Sequence, residues 1–412
     1  MALGVIVQMA WMLYPWKGIF NWDNGMPANM LIPASRNPSY ADSVGPAYMV
    51  DPRYGTTPYV QQWNLNLQKQ LPGKLLVDVG YIGNKSTKLR DNRLVRLNQT
   101  PTSVITQYGS NLPRTVTSAA DAAKYGVPYP YAGFAGTVNS ALRQFPQLLS
   151  NNTVSNIGAI DGLGTYHSLN VIVNRPLTKG LSVYANWVWS KMITNMGNGV
   201  LDWNNRALDK IIASNDQPHR VKILAEYHLP VGRGKAFGGE MPKVLDGVIG
   251  GWYVTGIANY FSGTPLGFSG ASSINGWNGG SNRVNVAAGP LRLPGGVDPS
   301  KYDYNGRLSN PASNKYFDTS LISAPAALTL GTAAPRYAQL RSWGTINEDI
   351  AVRKEFRVRE RYTLRLRGDF LNALNRHTMP NPTTSITSPN FGYMTGTPSG
   401  NRTIQIGLRL DF

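Results

Sequence analysis

The connections in this 412-residue chain sort by length. Short or medium turns follow Leu71, Arg175, Leu229 and Phe356, and long polar loops follow Gly83, Ser190, Phe261 and Asn372. The two kinds alternate strictly. Between them lie segments in which apolar and polar residues alternate, the mark of a strand with one oily face. Soluble β-sandwiches do not sort their connections in this way. A sheet that crosses a membrane does, with short turns on one side and long loops on the other. The parity places the C-terminus on the short-turn side.

The last segment shows the pattern most plainly. In Asn401–Phe412, residues Ile404, Ile406, Leu408, Leu410 and Phe412 share one face, and Thr403, Gln405, Gly407, Arg409 and Asp411 share the other. A strand of about ten residues suits a tilted pass across hydrocarbon. The same template fits Trp63, Leu65, Leu67 and Leu71, interrupted by Lys69; Leu75, Val77, Val79 and Tyr81; and Leu169, Val171 and Val173. It fits again at Leu181, Val183, Ala185, Trp187 and Trp189; at Val221, Ile223, Ala225 and Tyr227; and at Tyr362, Leu364, Leu366 and Phe370. In Val248–Phe261 both faces carry apolar residues, and no inside or outside follows. The parity puts Tyr81, Trp187, Trp189 and Phe370 at the outer water–lipid interface, and Tyr227, Tyr362 and Phe412 at the inner one. Aromatic belts belong at such interfaces.

Composition agrees with one large all-β body. The chain is 42% hydrophobic and 15% charged, and its 43 Gly and 28 Pro are spread at intervals too short for long helices. No apolar run reaches the roughly 18 residues of a membrane-spanning helix. Met1–Tyr14 is the richest run, and it reads as strand or loop from a truncated frame rather than as a targeting segment. Cysteine is absent, which excludes disulfides, thiolate metal sites and a cysteine nucleophile. The net charge of +18 arises from bases scattered singly among Asn, Gln and Gly, so a polar lumen and polar loops are expected rather than a nucleic-acid partner.

No chemistry-bearing motif stands out, and no catalytic, cofactor-binding or metal-ligating residue is expected. His167, His219, His228 and His377 are scattered, and belt or lumen hydrogen bonding is the expected role of His219 and His228. Neither HExxH nor GxSxG is present. Gly232-Arg-Gly-Lys-Ala-Phe-Gly-Gly lacks the GK[ST] ending and a following helix of a phosphate loop, and reads as a flexible turn. Asp202, Asp209 and Asp216 match no calcium-loop spacing, so solvated charge is expected. Inward Arg220, Lys222, Arg365, Arg367 and Arg409 could favour anionic solutes, but pairing with Glu226, Asp369 and Asp411 is the preferred reading.

Several stretches in order resemble the barrel of Oar-like TonB-dependent receptors. They are Tyr59-Val-Gln-Gln-Trp-Asn-Leu-Asn-Leu-Gln-Lys-Gln-Leu-Pro-Gly, Val79-Gly-Tyr-Ile-Gly, Tyr166-His-Ser-Leu-Asn-Val, and Tyr184-Ala-Asn-Trp-Val-Trp-Ser-Lys. His219-Arg-Val, Gly251-Trp-Tyr-Val-Thr-Gly with Ser262-Gly-Thr-Pro, and Arg367-Gly-Asp-Phe-Leu-Asn-Ala-Leu-Asn-Arg continue the likeness. The resemblance implies an antiparallel transmembrane β-barrel of the Gram-negative outer membrane, here the C-terminal half of a large barrel, taking up an unidentified solute with energy delivered through TonB. Residues 58–412 are expected to form that barrel, and residues 1–57 a truncated N-terminal region holding one further strand. The implied partners are outer-membrane lipid and lipopolysaccharide, the barrel-assembly machinery reading Phe412, and TonB through a plug and TonB box that are not visible here. About nine strands are legible, against 22 around a plugged lumen in such transporters. A secreted soluble β protein that binds glycans through exposed Trp and Tyr is the alternative.

Overall fold

The computed structural model describes residues 38, 41, 47–50, 55–90, 95–149, 154–157, 159–197, 200–293, 297, 302, 315–359 and 362–412. Its frame is one antiparallel meander of long strands: β1 (Tyr59–Leu71), β2 (Leu75–Leu89), β3 (Gly162–Thr178), β4 (Leu181–Thr194), β5 (His219–His228), β6 (Trp252–Phe261), β7 (Thr345–Arg359), β8 (Tyr362–Leu371) and β9 (Thr403–Asp411). Each strand pairs with its neighbour in sequence, and Ile211–Ile212 adds a short tenth strand beside the outer end of β4. The strands are those expected, in the expected order, except that Val248 and Ile249, expected at the start of β6, are helical.

The register carries a steady stagger. One row of paired residues runs Leu71, Leu75, then from Arg175 through Val183, Ala225, Gly256, Ile350 and Phe370 to Ile404. It starts at the short-turn end of β1 and finishes at the long-loop end of β9. Strands therefore tilt across the sheet, the geometry a closing barrel wall requires. Among the described residues the wall is not closed: β1 and β9 are its two edges.

Turn chemistry explains the short side. Lys179 and Gly180 both have positive φ (52° and 82°), the two-residue turn whose twist suits a hairpin. The β1–β2 turn uses Gly73 and Lys74 in the same region, at 80° and 60°. Residues 229–251 join β5 to β6 and contain a helix, which makes this the longest connection on the short-turn side.

The loops differ most from expectation. Strands β2 and β3 extend beyond Gly83 and Gly164 and remain paired to Leu89 and Gly162. Strand β4 continues past Trp189 to Thr194, so the tryptophans lie within the strand and not at its end. Beyond these strands, residues of the long loops pack into a cap with cores of its own. One core gathers Val284, Leu291, Phe317, Leu340 and Met394. A second gathers Val116, Phe134 and Val138 around the short helices α1 (Ser103–Tyr108), α2 (Ala119–Tyr125) and α3 (Val138–Ala141). A third joins Val104, Ile105 and Leu112 to Ile274 and Trp277. Of the buried apolar side chains among the described residues, only Ala351 belongs to the nine long strands.

Met1–Tyr14 and most of residues 1–57 lie outside the described residues. Within that region Ala47–Val50 pairs with Val154–Ile157, in a small sheet apart from the wall.

Candidate functional site

The wall has two chemically opposite faces, and no described layer covers the apolar one. Leu65 is 73% exposed, Ile406 79% and Leu408 67%. Burying one such side chain is worth about 1.5–3 kcal/mol, so a sheet that leaves whole rows bare needs an apolar solvent. The rows are those expected, with Val183 on the apolar side and Asn186 on the polar one.

Aromatic residues cluster at both rims of this face. At the outer rim Tyr81 Oη lies 2.8 Å from His167 Nδ1, and Trp63 stands 6.1 Å from the same ring. Trp63 also covers Gly83, where an added Cβ would fall 2.2 Å from the indole. Trp187 stacks on His219 at 6.1 Å, its Nε1 donating to His219 Nδ1. Tyr81, Trp187, Trp189 and Phe370 were expected at this rim, and His219 makes one of the belt or lumen hydrogen bonds expected of it; His167 as a belt partner was not expected. At the inner end Tyr227, Tyr362 and Phe412 are joined by Trp252 and Phe356.

Trp252 was hidden in the segment whose faces could not be assigned. Pairing with β5 and β7 puts Trp252, Val254, Ala258 and Tyr260 on the lipid side, and Tyr253, Ile257 and Phe261 toward the lumen. Two of these lumen residues lie against polar partners: Arg220 lies 5.2 Å over Phe261, and His228 lies 5.3 Å from Tyr253.

Among the described residues, charges on lipid-facing rows stand near the rims. Glu348, at the outer rim, accepts from Tyr260 Oη at 3.0 Å and pairs with Arg376 at 3.3 Å. Lys354, near the inner rim, is buried between Trp252 and Phe356 with its Nζ donating to the Gly250 carbonyl. Lys69 lies two residues from the inner end of β1, where a long side chain reaches water.

The lumen side is polar. Arg365 pairs with Glu355 and Asp411, Arg367 with Asp369, and Arg409 with Asp411, so these three arginines are occupied as expected. Glu226 takes His228 instead of Arg220 or Lys222, at 2.6 Å. A recess of about 510 Å³ lies on this side, with Tyr184, Glu226, Asp349, Arg353, Arg367 and Asp369 among its lining. These pairs are largely solvent-exposed and each is worth about 0–1 kcal/mol, so they tune the lumen more than they hold it.

The acidic triplet Asp202, Asp209 and Asp216 is buried, contrary to the expectation of solvated charge. The cap folds over them and supplies donors. Asp202 accepts from Gln99 Nε2 at 2.8 Å, Asp209 pairs with Arg206 and Arg283, and Asp216 pairs with Arg341 at 2.8 Å. Burial lowers the Arg283 pKa from its ordinary value, and the neighbouring Asp209 partly restores it. Asn98, Thr100, Asn139 and Asn278 add a buried amide network: Asn278 Nδ2 donates to the Asn98 carbonyl, and the Thr100 hydroxyl donates to Asn139 Oδ1. Residues from three loops are thereby locked together. Among the described residues, no group of three or more His, Asp or Glu could hold a metal ion.

The glycine-rich stretch from Gly232 is also followed by a helix, α4 (Lys243–Ile249), which sequence reasoning did not expect. Its Asp246 carboxylate accepts from the Arg233 amide at 2.7 Å, so an internal carboxylate already fills the loop.

A family model described as "Outer membrane beta barrel domain" matches residues 13–405. No curated protein matches the sequence. Among solved structures, the outer membrane transporter YddB from Escherichia coli is 10% identical with a TM-score of 0.39, over 91% of this chain and 36% of that one. The pyoverdine outer membrane receptor FpvA from Pseudomonas aeruginosa PAO1 is 10% identical with a TM-score of 0.36, over 86% and 30%. The siderophore receptor PiuA from Acinetobacter baumannii is 9% identical with a TM-score of 0.33, over 86% and 28%. The chain spans about a third of the length of these structures.

Proposed function

The chain belongs to the outer membrane beta barrel domain family, and from that premise we propose that it supplies the C-terminal part of the barrel of an Oar-like TonB-dependent receptor, one that admits a polar solute. Its place is the bacterial outer membrane, where its apolar face meets phospholipid and lipopolysaccharide. The observation that carries the reading is the two-sided wall: bare Val, Leu, Ile and Trp rows on one side and a charged recess on the other. The motifs from Tyr59 to Arg376 support the receptor subtype.

The open edges support a larger assembly. Unpaired backbone N–H and C=O groups cost several kcal/mol each in hydrocarbon, so spanning sheets close. Strands β1 and β9 are edges here, and further strands would close the ring, with residues 58–412 as its C-terminal portion. In this reading Phe412, 94% exposed at the end of β9, is the residue offered to the barrel-assembly machinery. In the same reading TonB acts on the plug of the whole receptor.

The test is comparative growth of the source bacterium. A strain deleted for this gene and a strain deleted for TonB should leave the same solute unconsumed in the medium. A gene deletion that changes no TonB-dependent solute contradicts the receptor reading.

A further inference from the structure

The connection between β5 and β6 carries a feature that the transport reading does not use. Helix α4 (Lys243–Ile249) exposes Val244 (84%), Leu245, Val248 (64%) and Ile249. At 3.6 residues per turn these positions form a single apolar stripe. Asp246 lies off the stripe and is engaged with the Arg233 amide. No described residue covers the stripe.

Two contacts fix where the helix ends. Lys354 Nζ, on a lipid-facing row of β7, donates to the carbonyl of Gly250, the residue that caps the helix. A cation at a helix C-terminus meets the negative end of the helix dipole. The indole Nε1 of Trp252, also lipid-facing, donates to the Val248 carbonyl at 2.9 Å. Lys354 is held over the Trp252 and Phe356 rings, at 5.4 and 4.9 Å. The C-terminal end of α4 therefore sits on the outside of the wall at its inner rim, continuous with the apolar band.

We propose that α4 is an in-plane membrane helix: its Val244, Leu245, Val248 and Ile249 stripe lies among the acyl chains of the inner leaflet of the outer membrane and anchors the barrel there. The occupant is phospholipid, for two reasons. The stripe continues a face already assigned to lipid. The same connection also presents exposed Arg233, Lys235 and Lys243 to anionic headgroups, as interfacial helices do. Phe237, exposed in the same connection, adds an interfacial ring. Lys354 acts as the pin, holding the helix terminus against the wall so that the stripe faces outward.

This inference rests on the lipid-facing wall, and the experiment separates the two. The chain has no cysteine, so single cysteines at 244, 248, 235 and 406 can each carry a nitroxide without background. The full chain is folded into phospholipid bilayers, and folding of each variant is checked by heat-modifiable gel mobility. Collision with oxygen, which concentrates in hydrocarbon, is compared with collision with a water-soluble nickel chelate. The oxygen-to-nickel ratio at 244 and 248 should match that at 406 and exceed that at 235 several-fold. A water-like ratio at 244 and 248 with a lipid-like ratio at 406 overturns the anchor and leaves the wall standing. Low accessibility to both reagents at 244 and 248 means protein covers the stripe, which also overturns it. A water-like ratio at 406 removes the wall reading itself. A Lys354→Met variant should lower the ratio at 248 while leaving that at 406 unchanged.

Discussion

Ile223→Arg and Asn186→Arg place the same charge on opposite faces of neighbouring paired rungs, because Lys222 opposes Asn186 and Ile223 opposes Ala185. Ile223 stands four residues from His219 at the outer rim and four from Tyr227 at the inner one. At about 3.3 Å per residue and a tilt near 40°, it lies roughly 10 Å from each aromatic row, close to the middle of an apolar band about 25 Å tall. Arginine at the midplane of a barrel's lipid face costs about 2–4 kcal/mol, falling to about 0–1 at the interfaces. At 1.36 kcal/mol per decade this lowers the folded-to-unfolded ratio roughly 30- to 900-fold. Val183, two residues from the inner end of β4, should show a smaller loss from the same substitution. Asn186 faces the polar lumen, where another guanidinium is solvated, so Asn186→Arg should fall within about 0.5 kcal/mol of wild type. The assay is reversible urea unfolding in phospholipid vesicles, read by heat-modifiable mobility and by tryptophan emission. Equal losses at Ile223 and Asn186, or no loss at Ile223, would refute the assignment of faces.

Three further outcomes follow from named contacts. Gly83→Ala should cost about 1–3 kcal/mol by driving Trp63 from its seat, and should be nearly neutral in a Trp63→Ala background, as a double-mutant cycle would show. Arg341→Met leaves the buried Asp216 carboxylate with the Met192 amide but without its cation; one such loss costs about 3–5 kcal/mol, and limited trypsin should then cut within 200–218 and 262–344 while the strands keep heat-modifiable mobility. Hydrogen bonds from Thr117 and Ser118 hold the Asp121 pKa below its ordinary value. The sign is that of a depressed carboxylate: its stabilisation is whole above the unfolded value of about 3.9 and is lost as pH falls through the folded one. Amide exchange across α2, corrected for the intrinsic pH dependence of exchange, should therefore show weaker protection at pH 3 than at pH 6, and the change should shrink in Asp121→Asn.

The wall was legible because its physics is local. Period two, turn residues and loop lengths are properties of neighbours in sequence, and hydrocarbon on one face keeps the alternation clean at positions such as Ile404, Ile406 and Leu408. Strand β6 resisted because Tyr253, Ile257 and Phe261 face a lumen that tolerates rings beside Arg220 and His228. The cap was illegible for another reason. Phe134, Phe317, Leu112 and Met394 come from irregular segments with no repeating period, and they are shared among three separate cores. The burial of Asp202, Asp209 and Asp216 followed from that same packing, since each of their partners Gln99, Arg283 and Arg341 lies in another loop. Helix α4 is shorter than the windows in which helical period shows, and Pro242 and Gly250 frame it as a turn would.

In this reading hydrocarbon covers the rows of Leu65, Val183, Ile223 and Leu408. Dilution of the urea-unfolded chain into phospholipid vesicles and, in parallel, into plain buffer tests it most directly, with heat-modifiable mobility and β-sheet circular dichroism as readouts. Folding in the vesicles and aggregation in buffer are expected. A monodisperse, folded chain in buffer free of lipid and detergent would contradict it.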